Sequence, residues 1–459
     1  MKFYIKSSLP VILLAAFAVS AVFGSSIFVP PSSKSTAMGY SFVAIADDLS
    51  AIFWNPAGLT QLEGSGHSVG FALINGASKG NQPLNNSFTP NENNGDFPYL
   101  KNIYGPVLNS MTGGLVPNVE PSQYQGKDLN INALLPFMAG YKKVKDITLA
   151  FGVYAVGGGG GNYESRVIEP VYGDMLLGSV DAMQAFLIGN ISAAKEINSK
   201  LSVGVGLDIV YMIDKAEVKK QYTKSAASPV FSSYSQSIEQ NASGTGLQAN
   251  IGCMYKIIPE KLKFGLTIRS GGALNLKGTA RFKQSGLSSL TAIDPGFADT
   301  DSSTDYDEKY AYPVTASAGF SYKPSDPWTL ALSIMQENYS VLRNDFEFQN
   351  QTYFPNIKTS KRCHDNTMYC FGAEYKKNEK LAYRGGLLID PNQFPEDQLT
   401  QLNPNQYLLI IPNLGIGYMF KGCEVNAEYS YFISQAPSLN GRSFEYVGGT
   451  VIVNLSRKF

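Results

Sequence analysis

The chain has 459 residues with 37 basic and 37 acidic side chains, so no net charge draws it to nucleic acid or an anionic surface. Charged residues make up 16%, below the roughly 25% usual in soluble domains, whereas 44 Gly, 27 Tyr and 26 Phe favour strands and turns. With two His and four Cys, the chain has little material for a metal site, a histidine-based catalytic relay or a disulfide scaffold. A mean hydropathy of -0.09 excludes a polytopic helical membrane protein, which needs several long apolar runs.

The N-terminal segment has the pattern of a secretory signal peptide. An apolar run at 9–23 follows Lys2 and Lys6 and precedes small residues that begin at Gly24. This run of 15 residues is short for a membrane span, which needs about 20. We therefore predict a signal peptide over 1–24, cleaved after Gly24, and an exported protein.

From about residue 66 onward, apolar and polar side chains alternate as in β-strands with two different faces. At 201–212, for example, Leu201 and Val203 would lie on one face and Ser202 and Gly204 on the other. The pattern predicts fourteen strands, at 66–74, 131–142, 147–156, 182–194, 201–213, 244–257, 261–282, 312–323, 328–343, 366–376, 381–389, 407–420, 423–434 and 445–459.

The connections between these strands alternate in length. Six short polar turns would fall at one end of the strands and seven long loops at the other, among them 157–181, 214–243 and 283–311. This layout is typical of outer-membrane barrels, in which lipid requires every backbone group to be paired and closure removes the edges. In a soluble β-sandwich nothing requires the short connections to lie at one end and the long ones at the other. The expected fold is all-β, a transmembrane antiparallel β-barrel of 14 strands over 66–459.

The ends of the predicted strands also suit a membrane. Aromatic residues such as Trp328 and Tyr418 lie near strand ends, as in the aromatic girdles of outer-membrane barrels. The last strand ends on Phe459, which resembles the signal that barrel-insertion machinery reads in its substrates. We therefore predict a protein of the outer membrane of a Gram-negative-type cell, with that machinery as a partner during biogenesis.

Residues 25–65 are not strand-like and contain the run AMGYSFVAIADDLSAIFWNPAGL at 37–59. Asp47 or Asp48 can cap a short helix, and Pro56 can begin another. The run resembles the N-terminal hatch of the FadL/TodX family, outer-membrane transporters of long-chain fatty acids and other hydrophobic compounds. The motif that carries the resemblance, followed by Leu59, is Asn55, Pro56, Ala57 and Gly58.

The resemblance implies a fourteen-stranded barrel plugged by residues 25–65, and a kink in the strand at 147–156 through which ligand leaves sideways. It also implies an external capture site in the loops 214–243 and 283–311. Glycine weakens strands and favours bends, so the glycine run after this strand is the candidate lateral opening; a plain flexible loop is the alternative. The run consists of Gly157, Gly158, Gly159, Gly160 and Gly161.

Alternation places four apolar side chains on the inward face of the outer half of the barrel, where they could line a pocket for an apolar ligand. They are Met212, Leu409, Ile411 and Phe432, and packing against the hatch or a loop is the alternative. Arg269 and Arg384 are candidates for binding a ligand carboxylate, because guanidinium binds carboxylates bidentately. A solvated lumen that packs the hatch is the alternative for these two.

The sequence thus predicts a monomer, not an enzyme and without a cofactor, that moves hydrophobic compounds passively across the outer membrane. Its expected partners are a hydrophobic small molecule or fatty acid and membrane lipid, with no nucleic acid. A surface adhesin, a hydrophilic porin and an outer-membrane lipase or protease are the rivals, although the two histidines supply no convincing nucleophile–base pair. Cys363 and Cys370 are close enough in sequence for a loop disulfide.

Overall fold

The computed structural model describes residues 32–80, 124–126, 129–168, 175–227, 233–286, 288, 298–351, 354, 356–360, 364–391, 408–435 and 444–459. The predicted signal peptide and Cys363 lie outside these residues. Two short α-helices, Ser33–Ala37 and Ala51–Trp54, and a 3₁₀-helix, Pro56–Gln61, precede the first strand. Within the described ranges, no helix has the length and apolarity to cross a membrane.

The strands form one antiparallel sheet of nineteen segments in the described part of the chain. The segments are β1 (Ser65–Gly80), β2 (Tyr124–Gly126), β3 (Leu129–Val144), β4 (Ile147–Ile168), β5 (Met175–Glu196), β6 (Leu201–Thr223), β7 (Tyr234–Ile258), β8 (Leu262–Arg269), β9 (Gly272–Ser285), β10 (Thr300–Tyr312), β11 (Thr315–Tyr322), β12 (Trp328–Glu337), β13 (Arg343–Phe348), β14 (Ile357–Ser360), β15 (Asn366–Asn378), β16 (Leu381–Pro391), β17 (Leu408–Phe420), β18 (Cys423–Gln435) and β19 (Phe444–Lys458).

In five places, two successive segments lie end to end between the same neighbouring strands and together form one strand of the barrel wall. These pairs are β2 with β3, β8 with β9, β10 with β11, β12 with β13, and β14 with β15. Nineteen segments less five continuations give the fourteen strands that the sequence predicts.

The first and last strands close the sheet. β1 pairs antiparallel with β3 on one side and with β19 on the other, which leaves no free edge. Along β19, Val451 and Leu455 are exposed on the outer surface, whereas Ile452 and Asn454 are buried inside. Apolar side chains outward and polar or packed side chains inward are the pattern of a barrel that stands in lipid.

Several strands run further toward the long-loop end than the sequence predicts. β4 ends at Ile168 rather than at 156, β6 ends at Thr223 rather than at 213, and β10 begins at Thr300 inside a predicted loop. The predicted loops 157–181, 214–243 and 283–311 are therefore wrong in part, because much of each is strand. In the extension of β6 the alternation continues with its faces exchanged, because Lys215 and Lys219 are exposed outside whereas Ala216 and Val218 are buried inside. The apolar outer face that marks the membrane segment is therefore missing there.

Three neighbouring wall strands that the sequence predicts as continuous are interrupted at one level. The breaks fall at 270–271, 313–314 and 338–342. Pro313 cannot donate to a ladder, which accounts for the middle break. The backbone N–H of Asn338 donates to the carbonyl of Val314 at 3.1 Å, so two of the three breaks are joined to each other.

Residues 32–64, which we call the hatch, fill the lumen toward the short-turn end. Phe42, Ile52 and Leu59 are completely buried there. The hatch comes so close to the wall that a side chain on several inward-facing glycines would collide with it. These positions include Gly204 against Pro56, Gly252 against Asn55, Gly265 against Val43 and Gly372 against Met38.

Candidate ligand pocket above the hatch

The Asn-Pro-Ala-Gly motif fastens the hatch to itself and to the wall. The Asn55 side chain accepts a hydrogen bond from the N–H of Ala57 at 3.1 Å, which caps the 3₁₀-helix that Pro56 begins. Its amide nitrogen donates to the carbonyl of Val43 at 2.8 Å and to that of Cys253 on β7 at 3.0 Å. Asn55 therefore joins two parts of the hatch to one wall strand.

An ion pair joins the two halves of the hatch. Lys34 Nζ lies 2.7 Å from one carboxylate oxygen of Asp47 and 2.8 Å from the other. Burial by itself would raise the pKa of Asp47, but the Lys34 ammonium outweighs it and holds that pKa well below the ordinary range. Burial would likewise lower the pKa of Lys34, and Asp47 with Glu374 raises it instead. Both groups are therefore charged at neutral pH.

A largely apolar cavity lies above the hatch and reaches from β4 to β16. Tyr40, Phe53 and Trp54 of the hatch form its floor. The Phe53 and Trp54 rings meet edge to face, with centroids 5.2 Å apart. The wall contributes Val156, Gly157, Phe186, Ile188, Val210, Gln248, Thr267, Arg269, Leu274, Tyr310, Tyr312, Pro313, Thr315, Ser317, Met335, Glu337, Tyr339, Leu342, Met368 and Leu388.

The four predicted pocket residues are buried inside the barrel, but none is among the residues that line this cavity. Met212 lies directly opposite Phe186, a lining residue, across the pairing of β5 and β6. Ile411 lies opposite the lining residue Leu388 in the same way. Leu409 and Phe432 are buried in the same apolar core. Direct contact of these four residues with ligand stays a prediction.

The two predicted arginines are brought to different places, and each meets a carboxylate of the protein. Arg269 lines the cavity, where it hydrogen-bonds to Asp208 and donates to the Phe53 carbonyl at 2.7 Å. Arg384 is buried below, and its Nε donates to Glu374 at 2.7 Å. Their proposed contact with a ligand carboxylate stays a prediction.

Cys370 is a buried free thiol.

The glycine run begins at the cavity. Gly157 lines the cavity and has a φ of +61°, in the left-handed region that favours glycine. Gly158 to Gly161 continue β4 toward the long-loop end. The regular pairing of β3 with β4 stops at Phe137 opposite Tyr154 and resumes at Asn132 opposite Gly160. The wall is therefore irregular where it borders the cavity.

Sequence reasoning missed most of the lining. Phe53 and Trp54 stand directly before the Asn-Pro-Ala-Gly motif. Since the motif places this segment inside the lumen, the two aromatic residues could have been predicted to line a pocket there.

Glu337 continues the inward face of β12, on which Thr329 and Ser333 are also buried, so the alternation could have placed it in the lumen. Tyr339 has the same parity in the predicted strand 328–343, and it lines the cavity from the 3₁₀ turn that follows β12.

A closed barrel that stands in lipid, with a plugged lumen and an apolar cavity, defines a channel for apolar molecules. The family model of outer membrane protein transport proteins (OMPP1/FadL/TodX) matches residues 14–454, so the chain belongs to this family. The protein is thus a non-enzymatic channel that transports hydrophobic compounds across the outer membrane of Gram-negative bacteria. The predicted fold, family, location and general function are confirmed.

Solved structures of known channels share the fold. A Pseudomonas aeruginosa FadL homologue is 16% identical with a TM-score of 0.68, over 95% of this chain and 100% of that one. The toluene transporter TodX of P. putida is 15% identical with a TM-score of 0.63, over 95% and 99%. The Ralstonia pickettii toluene transporter TbuX is 16% identical with a TM-score of 0.60, over 95% and 100%. No curated protein sequence matches the chain.

Proposed function

We propose that the cavity is the ligand pocket on a passive route that ends in lateral exit through the wall. A long-chain fatty acid or similar lipophile is captured at the long-loop end, enters the cavity, and leaves into the membrane between β3 and β4. Rearrangement of the hatch accompanies the release. The observation that carries this proposal is the gap in strand pairing beside the cavity.

Two irregularities support exit at this point. β4 is out of regular register with β3 between residues 154 and 160, and with β5 between Ala155 and Gly158. Unpaired backbone in a barrel wall is tolerated only where protein or a cavity satisfies it, so the gap suits a passage rather than a lipid-facing wall. Gly157 and Val156 border the cavity on its inner side.

The lining supports an apolar cargo. Removing apolar surface from water contributes about 25 cal/mol per Å², so a lipophile gains by moving from water into the cavity. Membrane lipid is as apolar as the cavity, so onward movement into the bilayer needs no return to water. We propose that the ligand's own gradient drives the transport.

The remaining expected partners belong to the same proposal. The protein acts as a monomer surrounded by outer-membrane lipid. The insertion machinery recognises β19 and Phe459, whose N–H donates to the Ser65 carbonyl at 2.7 Å at the closing seam.

Replacing Gly157 with valine tests the exit route. A β-branched residue is strained at a φ of +61°, so Gly157→Val should reshape the gap and slow uptake of a radiolabelled fatty acid or toluene by cells about tenfold or more. Ligand binding to the purified protein is measured alongside, because Gly157 also lines the cavity, and the loss of uptake should exceed any loss of binding. The matched control is Gly189→Val in β5, where an added side chain meets nothing within 4 Å. Equal uptake by both variants would contradict lateral exit beside Gly157.

A further inference from the structure

The seam where β19 meets β1 carries basic side chains on the outer surface of the barrel. Val451, Val453 and Leu455 occupy the outward face of β19, and the exposed Arg457 is the next outward side chain toward the short-turn end. Short turns of outer-membrane barrels lie on the periplasmic side. Because two residues of a strand rise about 7 Å, Arg457 lies at the edge of the apolar band, where the lipid headgroups begin.

The register of the strands brings further basic and aromatic side chains beside Arg457. His67 on β1 lies directly opposite it. Lys142 follows on β3, two residues nearer the short turns, and Lys421 begins the turn between β17 and β18. Phe459 completes the group at the end of β19, and we call these five residues the seam patch.

Aromatic rings hold the basic groups against the wall. The guanidinium carbon of Arg457 lies 5.2 Å from the centroid of the Phe459 ring, and Lys421 Nζ lies 5.3 Å from that of Phe420. The His67 ring also packs on Phe459, with centroids 5.3 Å apart. The cations are therefore positioned at the aromatic girdle, beside the lipid.

No carboxylate neutralises the patch. Its Lys and Arg side chains are exposed, and none of them forms an ion pair with a described residue. The described outward side chains of β18, β19, β1 and β3 include no Asp or Glu in the halves toward the short turns. In the adjoining short turns, Glu63 pairs with Lys143 at 2.6 Å. Asp146 pairs with Lys195 at 2.7 Å. An anion at headgroup level would therefore meet three cations that no acidic side chain compensates.

We propose that the seam patch binds an anionic phospholipid of the periplasmic leaflet, of the phosphatidylglycerol type. Arg457 donates two N–H hydrogen bonds to the lipid phosphate, and Lys142 and Lys421 act as point charges on either side. The acyl chains lie along the apolar outward face of β19. The bound lipid covers the seam at which the first and last strands close the barrel. This inference does not depend on the route of the transported ligand.

Native mass spectrometry of the detergent-purified protein tests the inference, with phosphatidylglycerol and phosphatidylcholine of the same acyl chains added in equal amounts. We expect the wild type to retain phosphatidylglycerol about tenfold or more over phosphatidylcholine, because several basic side chains act on one headgroup. Arg457→Gln combined with Lys142→Gln should lower this ratio about fivefold or more. The matched control, Lys195→Gln combined with Lys377→Gln, removes two exposed lysines at the same end and should leave the ratio unchanged. Heat-modifiable gel mobility shows that both double variants are folded.

Glycerol 3-phosphate distinguishes a lipid site from a site for soluble phosphate, because it carries a phosphate without acyl chains. Added in excess, it should leave the bound lipid in place. Displacement of the lipid would overturn the inference, as would equal retention of both lipids by the wild type. A preference that survives in the Arg457→Gln, Lys142→Gln variant, or that falls equally in the control variant, would also overturn it.

Discussion

Single side chains decide how firmly the barrel is plugged, and Asn55 is the clearest example. Its amide makes three hydrogen bonds to backbone groups while the residue is completely buried. A carboxamide supplies two N–H donors and one acceptor, whereas a hydroxyl supplies one donor and a carboxylate none. Asparagine therefore satisfies the carbonyls of Val43 and Cys253 and the N–H of Ala57 together, and glutamine would carry the same groups one methylene further from the backbone.

Replacing Asn55 with alanine should therefore loosen the hatch. The lost hydrogen bonds leave buried backbone groups unsatisfied, and we expect the hatch to lose about 2–4 kcal/mol of local stability. Hydrogen exchange of residues 40–60 measures this directly. Asn55→Asp keeps the acceptor for Ala57 but sets a buried carboxylate oxygen against the carbonyls of Val43 and Cys253, so its loss should be at least as large as that of alanine. Unchanged exchange in Asn55→Ala would show that the motif is not what holds the hatch.

The hatch as an element depends on the pair of Lys34 and Asp47, and the pKa shifts set the pH range in which the pair stabilises. The pKa of Asp47 lies below its ordinary 3.8 and that of Lys34 above its ordinary 10.5. The free energy with which the pair stabilises the hatch is therefore fully present between the two ordinary values, pH 3.8 and pH 10.5. It is lost as the pH falls through the lowered pKa of Asp47 or rises through the raised pKa of Lys34. The wild-type hatch should be equally protected from protease from about pH 5 to about pH 9.

Removing the cation should make the hatch sensitive to pH. Lys34→Met leaves the Asp47 carboxylate without its main partner, which should cost about 1–3 kcal/mol at neutral pH, since the pair is partly exposed. Protection should recover as the pH falls and Asp47 takes up a proton. Limited proteolysis of the hatch across this pH range measures the effect, and Lys34→Met combined with Asp47→Leu should remove the pH dependence. If proteolysis of the Lys34→Met hatch did not depend on pH, the pair of Lys34 and Asp47 would not be what fastens the hatch.

At the scale of the whole molecule, the plug and the wall are built to fit each other. Gly204 on β6 leaves just enough space for Pro56 and Ala57 of the hatch. A closed barrel cannot widen locally without breaking its ladder, so an added side chain must displace the hatch rather than the wall.

Gly204→Leu should consequently unseat the plug while the barrel remains folded. We expect steady ion conductance in planar bilayers where the wild type shows little, with heat-modifiable gel mobility as the measure of an intact barrel. Gly189→Leu, at a strand position with free space, is the matched control. Steady conductance by the wild type itself would favour a hydrophilic porin, and a closed Gly204→Leu variant would show that the hatch does not block the lumen.

The sequence by itself determined the barrel. Period-two alternation shows which face of each strand is outside, and the sorted connection lengths show which end carries the long loops. Both patterns are reliable because a lipid environment allows few exceptions to them. The hatch could be predicted from a short motif, because Asn55 and its neighbours satisfy backbone groups close to them in sequence. Such local requirements are recognisable in the sequence. The strand extensions toward the long-loop end were missed, because their outward side chains are polar and their inward ones apolar, the reverse of the pattern in the membrane segment.

Only the tertiary structure decided the pocket. Its lining comes from strands as far apart as β4 and β16 and from hatch residues that reach it only after the chain has folded into the lumen. Met212 and Ile411 face inward as the alternation predicts, yet they lie beside the cavity rather than on it. The period of a strand tells which face a residue occupies, but depth and neighbours depend on closure, on the breaks at 270–271, 313–314 and 338–342, and on where the hatch comes to rest.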